Sequence, residues 1–121
     1  MNYLGMNEKR VLVTGGSRGI GYAIAKAFLE QQAEVHITGT AEEGHGPSGS
    51  VYHSCDFTKS ENLENMCDKV QQFNIDVLIN NAGISKIGAF TEMSSEDFLR
   101  IQRVNLYAAF RLAQVVLPGM T

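Results

Sequence analysis

Val11-Leu12-Val13-Thr14-Gly15-Gly16-Ser17-Arg18-Gly19-Ile20-Gly21 passes from an apolar run through a glycine turn straight into a helical pattern. Val11-Leu12-Val13 lacks the polar alternation of a half-exposed strand, so it reads as a parallel strand covered on both faces. Glycines at 15, 19 and 21 let the backbone turn sharply and leave its N–H groups open to a close approach. Ile20, Ala23, Ile24, Ala27 and Phe28 then recur at helical spacing. A helix opening there adds unpaired N–H donors and the positive end of its dipole, which together suit the pyrophosphate of a dinucleotide. A glycine turn alone is common. Strand, turn and helix in this order are far more specific.

The rest of the chain repeats the alternation. Strands are expected at 10–14, 34–38, 51–55 and 76–80, and helices at 19–32, 59–73 and 95–117. Such βαβα order implies a parallel sheet. Thr58 with Glu61 predicts a capping box for the second helix, and Ser94 with Asp97 a looser one for the third. Ala41 to Ser50, rich in Gly, Ser and Glu, replaces a crossover helix with a short connection. The 121 residues suffice for one domain with a core but not for two. With 44% apolar and 19% charged residues and a net charge of −3, the chain offers no basic field for nucleic acid or an anionic membrane. No apolar run is long enough to span a bilayer and the start lacks a secretory apolar region. Cys55 and Cys67 show no CxxC or Cys/His clustering, so no metal is expected and the thiols read as buried or idle. A cytoplasmic setting is the expectation.

The turn has the form TGxxxGxG, and Asn80-Asn81-Ala82-Gly83 stands directly after an expected strand, with Asn105 further on. In these motifs and their separation the chain resembles the short-chain dehydrogenase/reductase family, and looks most like its bacterial 3-oxoacyl-carrier-protein reductase branch. The resemblance implies a doubly wound (Rossmann) α/β fold of strand order 3-2-1-4. Residues 1–121 would form the N-terminal part of a single NAD(P)-binding domain, with the cofactor across the carboxyl ends of the strands.

On that resemblance Gly15, Ser17, Arg18, Gly19, Ile20 and Gly21 are expected at the phosphates. Arg18 is a bidentate donor suited to a 2′-phosphate, against the plainer reading of an exposed loop arginine. A site for NAD(H) usually carries an acid at the end of the second strand. Here that end reads Ile37-Thr38-Gly39-Thr40, and Thr40 falls where the reductase branch binds the 2′-phosphate. NADP(H) is therefore expected over NAD(H), with Glu42 and Glu43 as dissenting features. Asp56, with Phe57 beside it, matches the family position at the adenine amino group; the alternative is a turn aspartate leading into the next helix. Asn81, Ala82 and Gly83 match the segment lining the adenosine ribose.

Asn105 stands inside an apolar stripe of Phe98, Ile101, Ala108 and Leu112, where a buried amide must find partners. The family's matching asparagine holds a water in the proton relay behind the catalytic lysine; the alternative is a core asparagine tied to backbone. His36, His45 and His53 have no acid or nucleophile at useful spacing and receive no role.

In the family, a catalytic Ser and a Tyr-x-x-x-Lys helix follow the helix of Asn105. Of Tyr3, Tyr22, Tyr52 and Tyr107 only Tyr22 has a lysine four residues on, Lys26, and that pair lies on the first helix. The expectation is therefore the NADP(H)-binding portion of an oxidoreductase that moves hydride between cofactor and a carbonyl or alcohol, a 3-oxoacyl thioester by resemblance. The isolated chain should be inactive. Two alternatives stand beside this: a non-catalytic NADP(H)-binding or sensing module, and an interaction fragment completed by another chain. Leu99, Leu106, Phe110 and Leu117 give the last helix a second apolar face, and the 76–80 edge is expected to be open, so a homo-oligomer is expected.

Overall fold

Arg10–Val13 (β1), Glu34–Gly39 (β2), Val51–Ser54 (β3) and Val77–Ile79 (β4) form one sheet of order β3-β2-β1-β4. Every neighbouring pair is parallel, with Val11 beside Val35 and Val77, and Ile37 beside Tyr52. The computed structural model describes residues 5–120; residues 1–4, Tyr3 among them, and Thr121 lie outside the described residues although the expected domain span includes them. The expected strand order holds, and each strand lies within a residue or two of its expected bounds.

Successive side chains of a strand point to opposite faces, and β1 feeds a core on each. Val11 and Val13 join Val35, Ile37 and Ala25 beneath Gly19–Glu30 (α1). Leu12 points the other way, into a core with Leu63, Met66, Cys67 and Val70 of Ser60–Phe73 (α2) and Ala108, Leu112 and Val116 of Ala108–Val116 (α4). Helices on both faces make the fold doubly wound. Leu12, Leu63 and Leu112 are fully buried, each contributing about 2 kcal/mol of transfer free energy.

α1 ends at residue 30, two short of the expected end, because Gln32 takes a left-handed φ of 65° and Ala33 N closes on Phe28 O. Its inward face coincides only in part with the one expected. Gly21 and Ala25 are buried and Ile24 and Phe28 pack on the core, whereas Ile20 is 75% exposed and Ala23 and Ala27 are exposed. The small residues face inward because the helix opens hard against the glycine turn. Tyr22 and Lys26 lie on the exposed side of this helix rather than on its sheet-facing side.

The expected box of Thr58 and Glu61 does not form. The cap position of α2 is Lys59, with no side-chain cap bond, and the Thr58 hydroxyl is spent on Asp56. The Ser94 cap does form: its Oγ accepts from Asp97 N at 3.0 Å and opens Ser95–Gln102 (α3).

The single helix expected over 95–117 is broken by a π turn at Arg103–Tyr107, closed by Ala108 N donating to Arg103 O. A π turn holds one more residue than an α turn, so it rotates the helix before it relative to the helix after it. The buried stripe is therefore Val104, Ala108, Leu112 and Val116, while Phe98 is about half exposed and Asn105 lies outside the core. Arg103 bonds Ser60 Oγ, and Arg111 grips Glu64 with Nε at 3.0 Å and Nη2 at 2.6 Å, tying this helical stretch to α2.

Candidate functional site

Because the strands run parallel, the segments after β1, β2, β3 and β4 all leave the same edge of the sheet. Thr14–Gly21, Thr40, Asp56 and Asn80–Gly83 are thereby gathered from distant parts of the sequence. Ligands of open α/β sheets bind at this carboxyl edge.

Thr14 and Asn81 join the two central segments. Thr14 Oγ1, almost fully buried, accepts from Asn81 N and Ala82 N, each at 3.0 Å. Asn81 Nδ2 returns two bonds, to Thr14 O at 3.2 Å and Gly15 O at 3.1 Å. From the other side Thr38 Oγ1 accepts from Gly15 N at 3.1 Å, and Gly16 N donates to Thr38 O at 3.0 Å. Thr14 and Thr38 are holding residues that the sequence reading passed over. Their signal is a hydroxyl at the end of an apolar strand, where the neighbouring turn has N–H groups to satisfy.

Gly15 takes φ 67°, a left-handed conformation that glycine adopts without strain. Gly21 is required by contact: a Cβ there would fall against Gly15 O and Asn81 Nδ2, well inside contact distance. Arg18 caps α1 with extended backbone, φ −160° and ψ 168°, and the helix ladder starts with Tyr22 N bonded to Arg18 O. The amides of Gly19, Ile20 and Gly21 thus precede the ladder at the positive end of α1. The Arg18 side chain is exposed and bonded to none of the described residues. A bare turn, open amides and one cation can take the oxygens of a diphosphate or phosphate ester. Ser17 is half-buried within this turn and Ile20 projects into solvent.

β2 continues to Gly39, and Thr40 is exposed immediately beyond it, with no acidic side chain before Glu42. Asp56 is half-buried and accepts from the Thr58 hydroxyl at 2.6 Å and Thr58 N at 2.9 Å. These bonds, the hydroxyl's first, hold its carboxyl below the usual range. They form an Asx turn leading into α2, the alternative that the sequence left open, and they leave the second carboxylate oxygen, Oδ2, for another donor. Phe57 is buried in the α2/α4 core, so its side chain serves packing at this edge.

Asn105 is an exposed residue of the π turn rather than a buried member of the stripe. Its amide grips Ile84, just past Gly83, accepting from the backbone N–H and donating to the carbonyl. That matches the backbone-tied reading, with the residue moved from core to surface. Beside it, a void of about 10 Å³ between Thr14, Asn80 and Ala82 on one side and Val104 and Ala108 on the other has room for about one water. A separate open cleft of about 230 Å³, lined by Lys86, Ile87, Ala89, Glu92 and Met93, contains none of the expected residues.

One of the histidines, His36, does have an acid beside it, and a second ring pairs with it. His36 Nδ1 lies 2.9 Å from His53 Nε2, and His36 Nε2 lies 3.1 Å from Glu34 Oε2. Both rings pack on Phe73, at 4.4 and 5.1 Å between centroids. Glu34 and His36 are two apart on a strand and so share a face, the pairing that the spacing argument overlooked. Cys55 and Cys67 are free and buried, and burial pushes the Cys55 thiol up to about 12. Among the described residues, no group of three or more His, Cys, Asp or Glu could hold a metal ion, and no helix is long and apolar enough to cross a membrane.

The model of the short chain dehydrogenases matches residues 9–121. The chain is 35% identical to D-beta-hydroxybutyrate dehydrogenase of Cupriavidus necator, covering 95% of this chain and 49% of the relative. It is 36% identical to a 3-oxoacyl-[acyl-carrier-protein] reductase of Vibrio cholerae, covering 97% of this chain and 51% of the relative. The chain thus spans about half the length of the curated relatives it matches. Among solved structures, a blue fluorescent protein from a metagenomic library in complex with NADPH superposes with a TM-score of 0.81 at 27% identity, covering 95% of this chain and 52% of that one.

Proposed function

Since the chain belongs to the short-chain dehydrogenase family, we propose that it forms the NADP(H)-holding part of an oxidoreductase acting between a carbonyl and an alcohol. The observation that carries the cofactor choice is the pairing of an uncommitted Arg18 at the start of α1 with a β2 end free of acid. A guanidinium there neutralises a 2′-phosphate and meets it with paired N–H donors, whereas a carboxylate would repel it. Thr40 adds a hydroxyl on the same side. The open amides of Gly19, Ile20 and Gly21 hold the diphosphate beside the turn that Gly15 shapes, Asp56 accepts from the adenine amino group through its remaining oxygen, and Asn81 to Gly83 border the ribose.

When bound, the nicotinamide supplies or accepts the hydride. Asn105 fixes the backbone just beyond Gly83, and each of its polar atoms keeps capacity for one more hydrogen bond. It therefore holds a water in the void beside it. The substrate is a 3-oxoacyl thioester or a related hydroxy or keto compound, the chemistry named in both curated relatives. Among the described residues the one Tyr-x-x-x-Lys, Tyr22 to Lys26, lies on the exposed side of α1 and belongs to none of the segments after β4, so these residues alone are expected to turn over no substrate. The setting is cytoplasmic, and the exposed Leu99, Leu106, Phe110 and Leu117 meet a second copy of the chain.

Titration calorimetry of the purified protein with NADPH and with NADH tests the reading. Tighter NADPH binding is expected; tighter NADH binding overturns the cofactor assignment.

A further inference from the structure

The connection from β2 to β3 contains no helix, and one side chain gives it its shape. Tyr52, opposite Ile37 in the sheet, stands beneath the loop. Its ring occupies the space where side chains would stand at both ends of the first half of that loop. A Cβ at Gly39 would come within 2.7 Å of the Tyr52 hydroxyl, and one at Gly44 within 2.6 Å of Cζ. Between these glycines the hydroxyl donates to Ala41 O at 2.6 Å. Burial raises the pKa of that hydroxyl, so it stays a neutral donor. Further on, Gly46 packs on Ile37 and would place a Cβ 3.3 Å from Gly16 O, while Pro47 is buried and its carbonyl accepts from Ser50 Oγ at 2.7 Å. The loop is held at one end by the Tyr52 phenol and packs at the other on Ile37, close to the glycine turn. The exposed residues between them are Thr40, Ala41, Glu42, Glu43 and His45, of which Glu42 and Glu43 carry the carboxylates.

We propose that Tyr52 is a positioning residue for cofactor selection: by holding Ala41, Gly39 and Gly44 it fixes where Thr40 and the two glutamates stand relative to Arg18. The proposal rests on reading this edge as a dinucleotide site. The physical basis is that a carboxylate accepts from ribose hydroxyls and repels a phosphate, so a loop free to carry Glu42 or Glu43 inward would favour NADH. Held by Tyr52, the hydroxyl of Thr40 is the group next to the strand end and the carboxylates stay beyond it. The Ala41 bond is exposed, so water can replace it when it is lost, and the fold tolerates its removal.

The test is fluorescence titration of the purified protein with NADPH and NADH, in wild type, Tyr52→Phe and Gly44→Ala. Tyr52→Phe removes the hydroxyl and keeps the ring; Gly44→Ala pushes a methyl against the ring and reports independently if the first variant fails to fold. The expected result is a fall of about threefold or more in the preference for NADPH over NADH in each variant. Amide hydrogen exchange over residues 40–46 should also quicken in Tyr52→Phe without nucleotide. A merely structural role would weaken both nucleotides alike, and an unchanged ratio in the folded variants overturns the proposal. Wild-type protein that binds neither nucleotide would refute the dinucleotide site, and the proposal with it. Wild-type binding with unchanged ratios would refute the role of Tyr52 alone.

Discussion

Asn105 holds Ile84 by both of its backbone groups, Oδ1 accepting from the N–H at 2.8 Å and Nδ2 donating to the carbonyl at 2.8 Å. The two residues are on different segments, one in the π turn and one in the extended segment that follows Gly83. An amide that satisfies both groups of one peptide residue works as a strand partner would, so the segment after β4 is held without a ladder of its own. Asn105→Ala should lower stability by about 1–2 kcal/mol. Urea denaturation checks the stability, and faster exchange of the Ile84 amide checks the cause.

Gly21→Ala should be far more costly than its size implies. The added methyl meets a backbone oxygen, which cannot rotate away, and displaces Asn81 from Gly15. A loss of about 3 kcal/mol is expected from such overpacking, together with loss of NADPH binding. Gly88→Ala, with no atom within 4 Å of the new Cβ, is the matching control and should leave binding unchanged.

Arg18→Ala should weaken NADPH by about tenfold or more, the scale of a charged hydrogen bond, and leave NADH nearly unaffected. Calorimetry with both nucleotides reads this directly. Equal weakening of the two would assign Arg18 to the shared diphosphate instead.

The histidine pair predicts an acid sensitivity. Burial, then the neighbouring His36 and Lys69, lowers His53 from 6.5 to about 4, so in the folded protein it is neutral where the unfolded chain already binds a proton. More protons on the unfolded state mean stability that falls as pH falls, here from about 6.5 down to about 4. Glu34 faces His36 and Lys69 faces His53, so both belong in the same comparison. Urea unfolding at several pH values should show this slope in wild type and a flatter one in His53→Phe, which keeps a ring against Phe73.

Phe110→Glu should change the association state. Phe110 is 54% exposed, with Leu106 and Leu117 also on the surface, so a charge there opposes contact with a second copy without entering the core. Light scattering over a wide concentration range should show dissociation. A wild-type protein that is monomeric throughout would remove the basis of the assignment.

The sheet and its turn were legible because Val11-Leu12-Val13 followed by Gly15, Gly19 and Gly21 combines a periodicity with a steric demand, and both are properties of residue type. Asn81 was legible by motif, but its two bonds to Thr14 and Gly15 bring together residues more than sixty positions apart, which no local pattern encodes. The inward face of α1 was legible in Ile24 and Phe28, which pack on the core, but not in Gly21 and Ala25, whose burial follows from the close approach at Gly21 rather than from apolar periodicity. Asn105 was displaced from the core for a different reason. A π turn adds a residue to the helical repeat, and nothing in Arg103 to Tyr107 announces it to a reading built on a constant period. The Thr58 cap failed because Asp56, two residues earlier, competes for the same hydroxyl.

β1 contributes Val11 and Val13 to one core and Leu12 to the other, all three without exposed surface. Neither face can therefore lose its packing while the other keeps a continuous floor, since the strand that separates them is shared by both. The two cores are thermodynamically coupled through a backbone only a few residues long. Loosening of α1 should be felt by α2 and α4 on the far side, and melting followed by a probe on either face should trace one cooperative transition.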